Sequence, residues 1–156
     1  MLTLDNLISD NRALSHDETH IAHAVSCSPF LTRMLRKDAM LLQDLLENLH
    51  KPYQLQEMQN FLASCDIFDE STLKKALRQL RSRVMARMIG RDLSGLADLH
   101  EVMQTTSQLA ECAINSALDF LHRWQVAAYG EPADSDGNPQ RLIVIGMGKL
   151  GGAELN

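Results

Sequence analysis

The chain has 156 residues, 45% of them hydrophobic, enough for one packed domain and the beginning of another. Aromatics are only 4%, so the core must be built from Leu, Ile, Val, Ala and eight Met, types that favour helix over sheet. A net charge of −5 argues against a general nucleic-acid binder, and no segment is apolar for long enough to span a bilayer.

Met1-Leu2-Thr3-Leu4-Asp5 lacks the basic start and apolar run of a signal peptide. Cys27, Cys65 and Cys112 are odd in number and widely spaced, so they read as small buried hydrophobes in a reducing compartment, and a cytoplasmic location is expected. Ser15-His16-Asp17-Glu18 is a capping box that predicts a helix to about residue 26. Ser28-Pro29 starts a second helical stretch, with a break near Asp38 and an end at Lys51-Pro52. A short helix is predicted over 54–64. Asp69-Glu70-Ser71 opens the clearest helix, to about residue 93, with Leu73, Leu77, Leu80, Val84 and Met88 as its apolar stripe. Ser94-Gly95 breaks it. A last helix is predicted from about residue 97 to 129, its stripe including Leu99, Val102, Met103, Leu109, Ala113, Leu118, Leu121 and Trp124, with Gly130 in the place of a left-handed C-cap.

At Gly130 the grammar changes. Residues 130–139 are dense in turn formers. Arg141-Leu142-Ile143-Val144-Ile145 is a β-branched run of the kind buried in a parallel sheet. It leads into Gly146-Met147-Gly148-Lys149-Leu150-Gly151-Gly152. The expected fold is mainly α: a helical, bundle-like domain over 1–130, a linker loop over 131–140, and over 141–156 the first strand and glycine-rich turn of a truncated α/β domain. Such a turn lets phosphate oxygens approach main-chain amides, with Lys149 as an added positive charge. Gly146, Gly148, Lys149, Gly151 and Gly152 are therefore the candidate phosphate- or nucleotide-binding residues. Three readings compete at this point. The spacing satisfies a dinucleotide-binding fingerprint, Leu150 after Lys149 excludes a Walker A loop, and a tight turn without ligand is the plainest alternative.

The full string, Gly146-Met147-Gly148-Lys149-Leu150-Gly151-Gly152-Ala153-Glu154-Leu155-Asn156, resembles the motif that opens the nucleotidyltransferase domain of glutamine synthetase adenylyltransferases. Ten of eleven positions match the commonest form of that motif, and Ala153 stands where it has Arg. The helix Leu80-Arg81-Ser82-Arg83-Val84-Met85-Ala86-Arg87-Met88-Ile89 resembles the arginine-rich helix that precedes the domain. The resemblance implies a bifunctional enzyme that attaches AMP to a tyrosine of glutamine synthetase and removes it with phosphate as ADP. It implies magnesium and ATP, ADP or phosphate as cofactors, and glutamine synthetase and a PII-type signal protein as partners. It places two metal-holding aspartates directly after the position of Asn156. The chain thus reads as an amino-terminal fragment, inactive alone, with no catalytic residue and no metal ligand of its own. A helical protein-interaction module is the alternative function, and a Rossmann dinucleotide-binding protein a distant third.

Lys74, Arg78 and Arg81 lie on one flank of the apolar stripe, and Arg83, Arg87 and Arg91 on the other. They read either as snorkelling cations on a solvated helix or as contacts to phosphate or an interdomain surface. The resemblance singles out Arg81, Arg83 and Arg87. His16, His20 and His23 share a helical face, which reads as polar surface in preference to a metal site. An isolated strand at 142–145 leaves backbone groups unpaired, so weak self-association through Leu142, Ile143, Val144 and Ile145 is also expected.

Overall fold

The computed structural model describes residues 3–9 and 13–155. Met1, Leu2 and the motif's terminal Asn156 lie outside them. Among the described residues the chain forms seven helices: α1 (Leu4–Ser9), α2 (His16–Cys27), α3 (Pro29–Lys37), α4 (Ala39–Asn48), α5 (Leu55–Ala63), α6 (Glu70–Leu93) and α7 (Leu99–Tyr129).

The helix ends are fixed by short polar side chains. The Glu18 amide donates to Ser15 Oγ, and the Ser15 amide donates back to the Glu18 carboxylate at 2.8 Å. Ser28 Oγ accepts the Leu31 amide, with Pro29 at the first helical position. Asp38 ends α3 through its amide and opens α4 through its carboxylate, which accepts the Met40 amide at 3.0 Å. One residue therefore makes the break in the leucine-rich stretch. Asp69 and Asp98 cap α6 and α7 in the same way. The six-residue α1 carries no sequence signal strong enough to predict it, yet Leu4 and Leu7 are both buried.

Two hydrophobic clusters make the core. The first joins Leu7, Ile21, Leu31, Leu35, Leu42, Leu45 and Ala86; the second joins Met58, Leu62, Ala76, Leu80, Val84 and Leu109. Helix α6 serves both. Its stripe Leu73, Leu80, Val84 and Met88 is buried, as its periodicity predicts, but so are Ala86 and Gly90 on other faces. The second half of α6 is a central helix, packed on more than one side. Gly90 shows how tightly: a Cβ there would sit 2.8 Å from Leu45 Cδ1, so α4 approaches α6 closest where a side chain is missing.

Several expectations need correction. Leu99 and Leu121, placed on the α7 stripe, are exposed, and Trp124 is only half-buried, in a tilted ring contact at 5.8 Å with Phe120. The reason is that α7, at about 46 Å, outruns the bundle. Its buried residues are Thr105, Ser107, Leu109 and Cys112, all in the first half. Cys27 is exposed, unlike buried Cys112. Gly130 has φ +89° and ψ 168°, a conformation open to glycine but not a left-handed C-cap. Residues 141–145 form no strand. A strand is stable only as part of a ladder, and among the described residues no neighbour offers one; the single bridge found joins Ala133 to Pro139.

Leu80→Ala should destabilise the domain by roughly 2–5 kcal/mol, because its side chain is fully enclosed. Leu77→Ala should cost less, since Leu77 is only half-buried. Chemical denaturation of both variants checks this. A Leu80→Ala loss well under about 1 kcal/mol would contradict the second core cluster.

Candidate functional site

The segment from Pro132 to Leu155 carries the candidate phosphate-binding residues, and it is held by local geometry. Asp134 organises the approach. Its carboxylate accepts the amides of Asp136 and Asn138 at 3.0 and 2.9 Å, while the Gln140 amide donates to the Pro132 carbonyl at 2.8 Å. The Asn138 amide, foremost, holds the Asp134 carboxyl below its ordinary range. The loop is thus a small closed hairpin. The apolar residues after it, Leu142, Ile143 and Ile145, are 76%, 78% and 79% exposed. Arg141 and Leu142 border a groove of about 680 Å³ against Leu118, Leu121 and Gln125 of α7.

The glycines then fold the chain back on itself. The Gly152 amide donates to the Gly148 carbonyl at 3.0 Å, Ala153 to Leu150 at 3.1 Å, and Glu154 to Lys149 at 2.7 Å. Two glycines are required by this geometry. Gly148 has φ +61°, and a Cβ on Gly151 would lie 2.6 Å from the Gly146 carbonyl oxygen. The Gly146-x-x-x-x-Gly151 spacing brings two stretches of backbone into contact. A Cβ on Gly148 would meet nothing within 4 Å, so that side of the turn is open to a ligand. Lys149 is exposed beside it. Ala153 adopts φ +55°, unusual for a residue with a side chain.

The arginines divide. Arg81 is exposed and shares a groove on α6 and α7 with Leu155, so it lies at the motif's end. Arg83 and Arg87 are engaged inside the helical domain. Arg87, 3% exposed, places Nη2 3.2 Å from both Asp44 oxygens and Nη1 2.9 Å from Glu57. Its guanidinium lies 4.2 Å from the Tyr53 ring centre. Arg83 also reaches Asp44, at 3.1 Å, and lies over Phe61. Burial raises the Tyr53 phenol above its ordinary value, against the pull of Arg83 and Arg87, so Tyr53 is a neutral wall. Arg91 binds Glu101 through Nε at 2.7 Å and Nη2 at 2.9 Å. It also donates to the carbonyls of Leu49 and Leu96. Sequence reasoning gave no weight to the acids that receive these cations. Asp44 alone was discoverable, as a carboxylate within the leucine-rich run 41–46.

The remaining chemistry-bearing side chains are spread out. His16 and His20 make an edge-on ring contact at 4.4 Å. His50 Nε2 lies 2.8 Å from Asp17 and, as its hydrogen-bond partner, keeps the Asp17 carboxyl below its usual range. Burial raises the Cys65 and Cys112 thiols, which disfavours thiolate chemistry. Among the described residues no three His, Cys, Asp or Glu converge as a metal site, and no helix is long and apolar enough to cross a membrane.

Comparison with known proteins matches residues 18–156 to the glutamate-ammonia ligase adenylyltransferase family. Proteins named bifunctional glutamine synthetase adenylyltransferase/adenylyl-removing enzyme are similar over most of the chain. The one from Nitrosomonas eutropha is 43% identical over 154 residues, covering 96% of this chain and 16% of its own length. That from Chromobacterium violaceum is 46% identical over 137 residues, covering 87% and 15%. That from Pseudomonas aeruginosa is 39% identical over 138 residues, covering 84% and 14%. The chain therefore spans about one sixth of the length of these relatives.

Proposed function

The chain belongs to the glutamate-ammonia ligase adenylyltransferase family, and from that footing we propose that it is part of an enzyme that regulates glutamine synthetase by moving AMP on and off a tyrosine. In this reading residues 1–130 are a helical domain, 131–140 a linker, and 141–156 the opening of a nucleotidyltransferase domain. The observation that carries it is the turn at Gly146–Gly151. It keeps one backbone side free of Cβ atoms while an exposed lysine stands beside it.

The turn's chemistry is positional. Adenylyl removal has a phosphate oxygen attack the phosphorus of the tyrosyl-AMP; the bond to the tyrosine oxygen breaks, ADP leaves, and the phenol regains its proton. Negative charge gathers on the attacking phosphate, on the adenylyl phosphoryl oxygens and on the leaving phenolate oxygen, so catalysis asks chiefly for orientation and charge neutralisation. The open face at Gly148, with Gly151 and Gly152, would accept a phosphate against the main chain, and Lys149 would offset its charge. Arg81, at the motif's end, is the arginine best placed to add a second cation. Magnesium, when bound, would neutralise phosphate charge, but Glu154 is the motif's only acid and makes no site by itself. The metal-holding aspartates belong to the segment that the family resemblance places after residue 156. Glutamine synthetase and a PII-type signal protein as partners, ATP as adenylyl donor, and a cytoplasmic setting belong to the same proposal.

Family membership leaves the dinucleotide-binding reading without support. A weaker self-contact has an observation of its own: the exposed run Leu142, Ile143, Val144 and Ile145 offers apolar surface and unladdered backbone to a second copy.

Two outcomes are expected. A protein that continues through the two aspartates should release ADP from adenylylated glutamine synthetase and phosphate, whereas the 156-residue chain should not. Turnover by the shorter chain would contradict the assigned roles, and no ADP from the longer one would contradict the function. In sedimentation at high concentration, the 156-residue chain should show weak association that is lost when residues 141–156 are removed. Two identical monomers would end the idea of pairing through 142–145.

A further inference from the structure

Leu155, three residues after the last glycine, joins the turn segment to the helical domain. Leu155 lies in a groove between α6 and α7, bordered by Leu77, Met85, Met88, Leu109 and Ala113. Its amide donates to Ser107 Oγ at 3.3 Å. Ser107 is only 2% exposed, and it sits on the packed first half of α7 beside Thr105 and Leu109. A buried hydroxyl on a helix usually returns to its own backbone, as Thr106 does here, bonding the Val102 carbonyl at 2.7 Å. The Ser107 hydroxyl, through its acceptor side, reaches a residue 48 positions away.

We propose that Ser107 is a positioning residue for the glycine turn, and that the α6–α7 groove is the seat that fixes the turn on the helical domain. The inference rests on the reading of residues 146–152 as a phosphate-binding turn. Two constraints act together. Leu155 supplies an apolar anchor, and the Ser107 hydroxyl fixes the backbone at that same residue. The Glu154 amide, one residue back, closes onto the Lys149 carbonyl at 2.7 Å. Holding Leu155 therefore holds the end of the turn that carries Lys149. The seat also borders Arg81, so the anchor sets the distance between that cation and the turn. Through this contact a displacement of α7 is passed to the glycines.

The test is amide hydrogen exchange on the 156-residue chain, read residue by residue by NMR, and it needs no catalysis. The Leu155 amide should exchange more slowly than the open residues 142–145. Ser107→Ala should speed Leu155 exchange by roughly tenfold and raise the exchange of the Glu154 amide with it, while α5 and α6 stay protected. Leu155→Ala, which keeps the amide but removes the anchor, should do the same. If Ser107→Ala also speeds exchange at Leu109 and Cys112, α7 itself has loosened, and Leu155→Ala decides the matter. Unchanged Leu155 exchange in Ser107→Ala with α7 intact, or an unchanged position-155 amide in Leu155→Ala, overturns the proposal. Either result leaves the assigned activity standing, because that is tested separately by ADP release.

Discussion

Two guanidinium groups, those of Arg87 and Arg91, are buried in the second half of α6, and the placement of the other helices depends on neutralising them. A buried charge without a partner costs several kcal/mol, on the order of the whole stability of a small domain. Here the partners come from different elements. Asp44 of α4 and Glu57 of α5 meet Arg87, and Glu101 of α7 meets Arg91. Arg91 also takes up the carbonyl of Leu49 at the end of α4 and that of Leu96 in the turn before α7. Leucine packing could be satisfied by sliding α4 or α7 along α6. A bidentate carboxylate cannot slide without leaving its arginine unpaired, so the ion pairs set the register. They do so at some cost, since among the described residues the buried Nε atoms of Arg83 and Arg87 find no hydrogen-bond partner.

This constraint reaches the candidate site through α7. Glu101 fixes the start of that helix against Arg91, and Ser107, less than two turns later, touches the residue that ends the glycine turn. The helical domain is thus connected to the turn by two successive polar contacts on one helix. The same α6 carries Arg81 on its outward side, four residues after Leu77 of the groove that seats Leu155. A single central helix therefore presents paired arginines inward and a solvent-facing one toward the motif.

Much of this was legible in the sequence because its causes are local. Ser15, Ser28, Asp69 and Ser94-Gly95 act within a few residues of themselves, and the helix boundaries followed. The break at Asp38 was visible for the same reason. What the sequence hid is non-local. The stripe Leu73–Met88 showed one buried face of α6, but the first core cluster, on its other faces, depends on α2, α3 and α4 closing over Ala86 and Gly90. Periodicity had no means of telling that Arg87 and Arg91 are interior, because their acids lie 10 to 43 residues away. The run 141–145 has the composition of a strand, yet strand formation belongs to the pair and not to the segment. At the glycine turn the reverse holds: the motif was readable in full, and the structure adds why Gly151 must be glycine.

The Asp44–Arg87 pair holds α4 against α6, beyond what apolar packing provides. A double-mutant cycle measures it directly: Arg87→Met, Asp44→Leu and the double variant, each unfolded by denaturant. Each single change should cost about 3 kcal/mol or more, and the double clearly less than their sum, a coupling of about 2 kcal/mol or more. Losses that add to within about 0.5 kcal/mol would show that the two side chains act independently, and would contradict it.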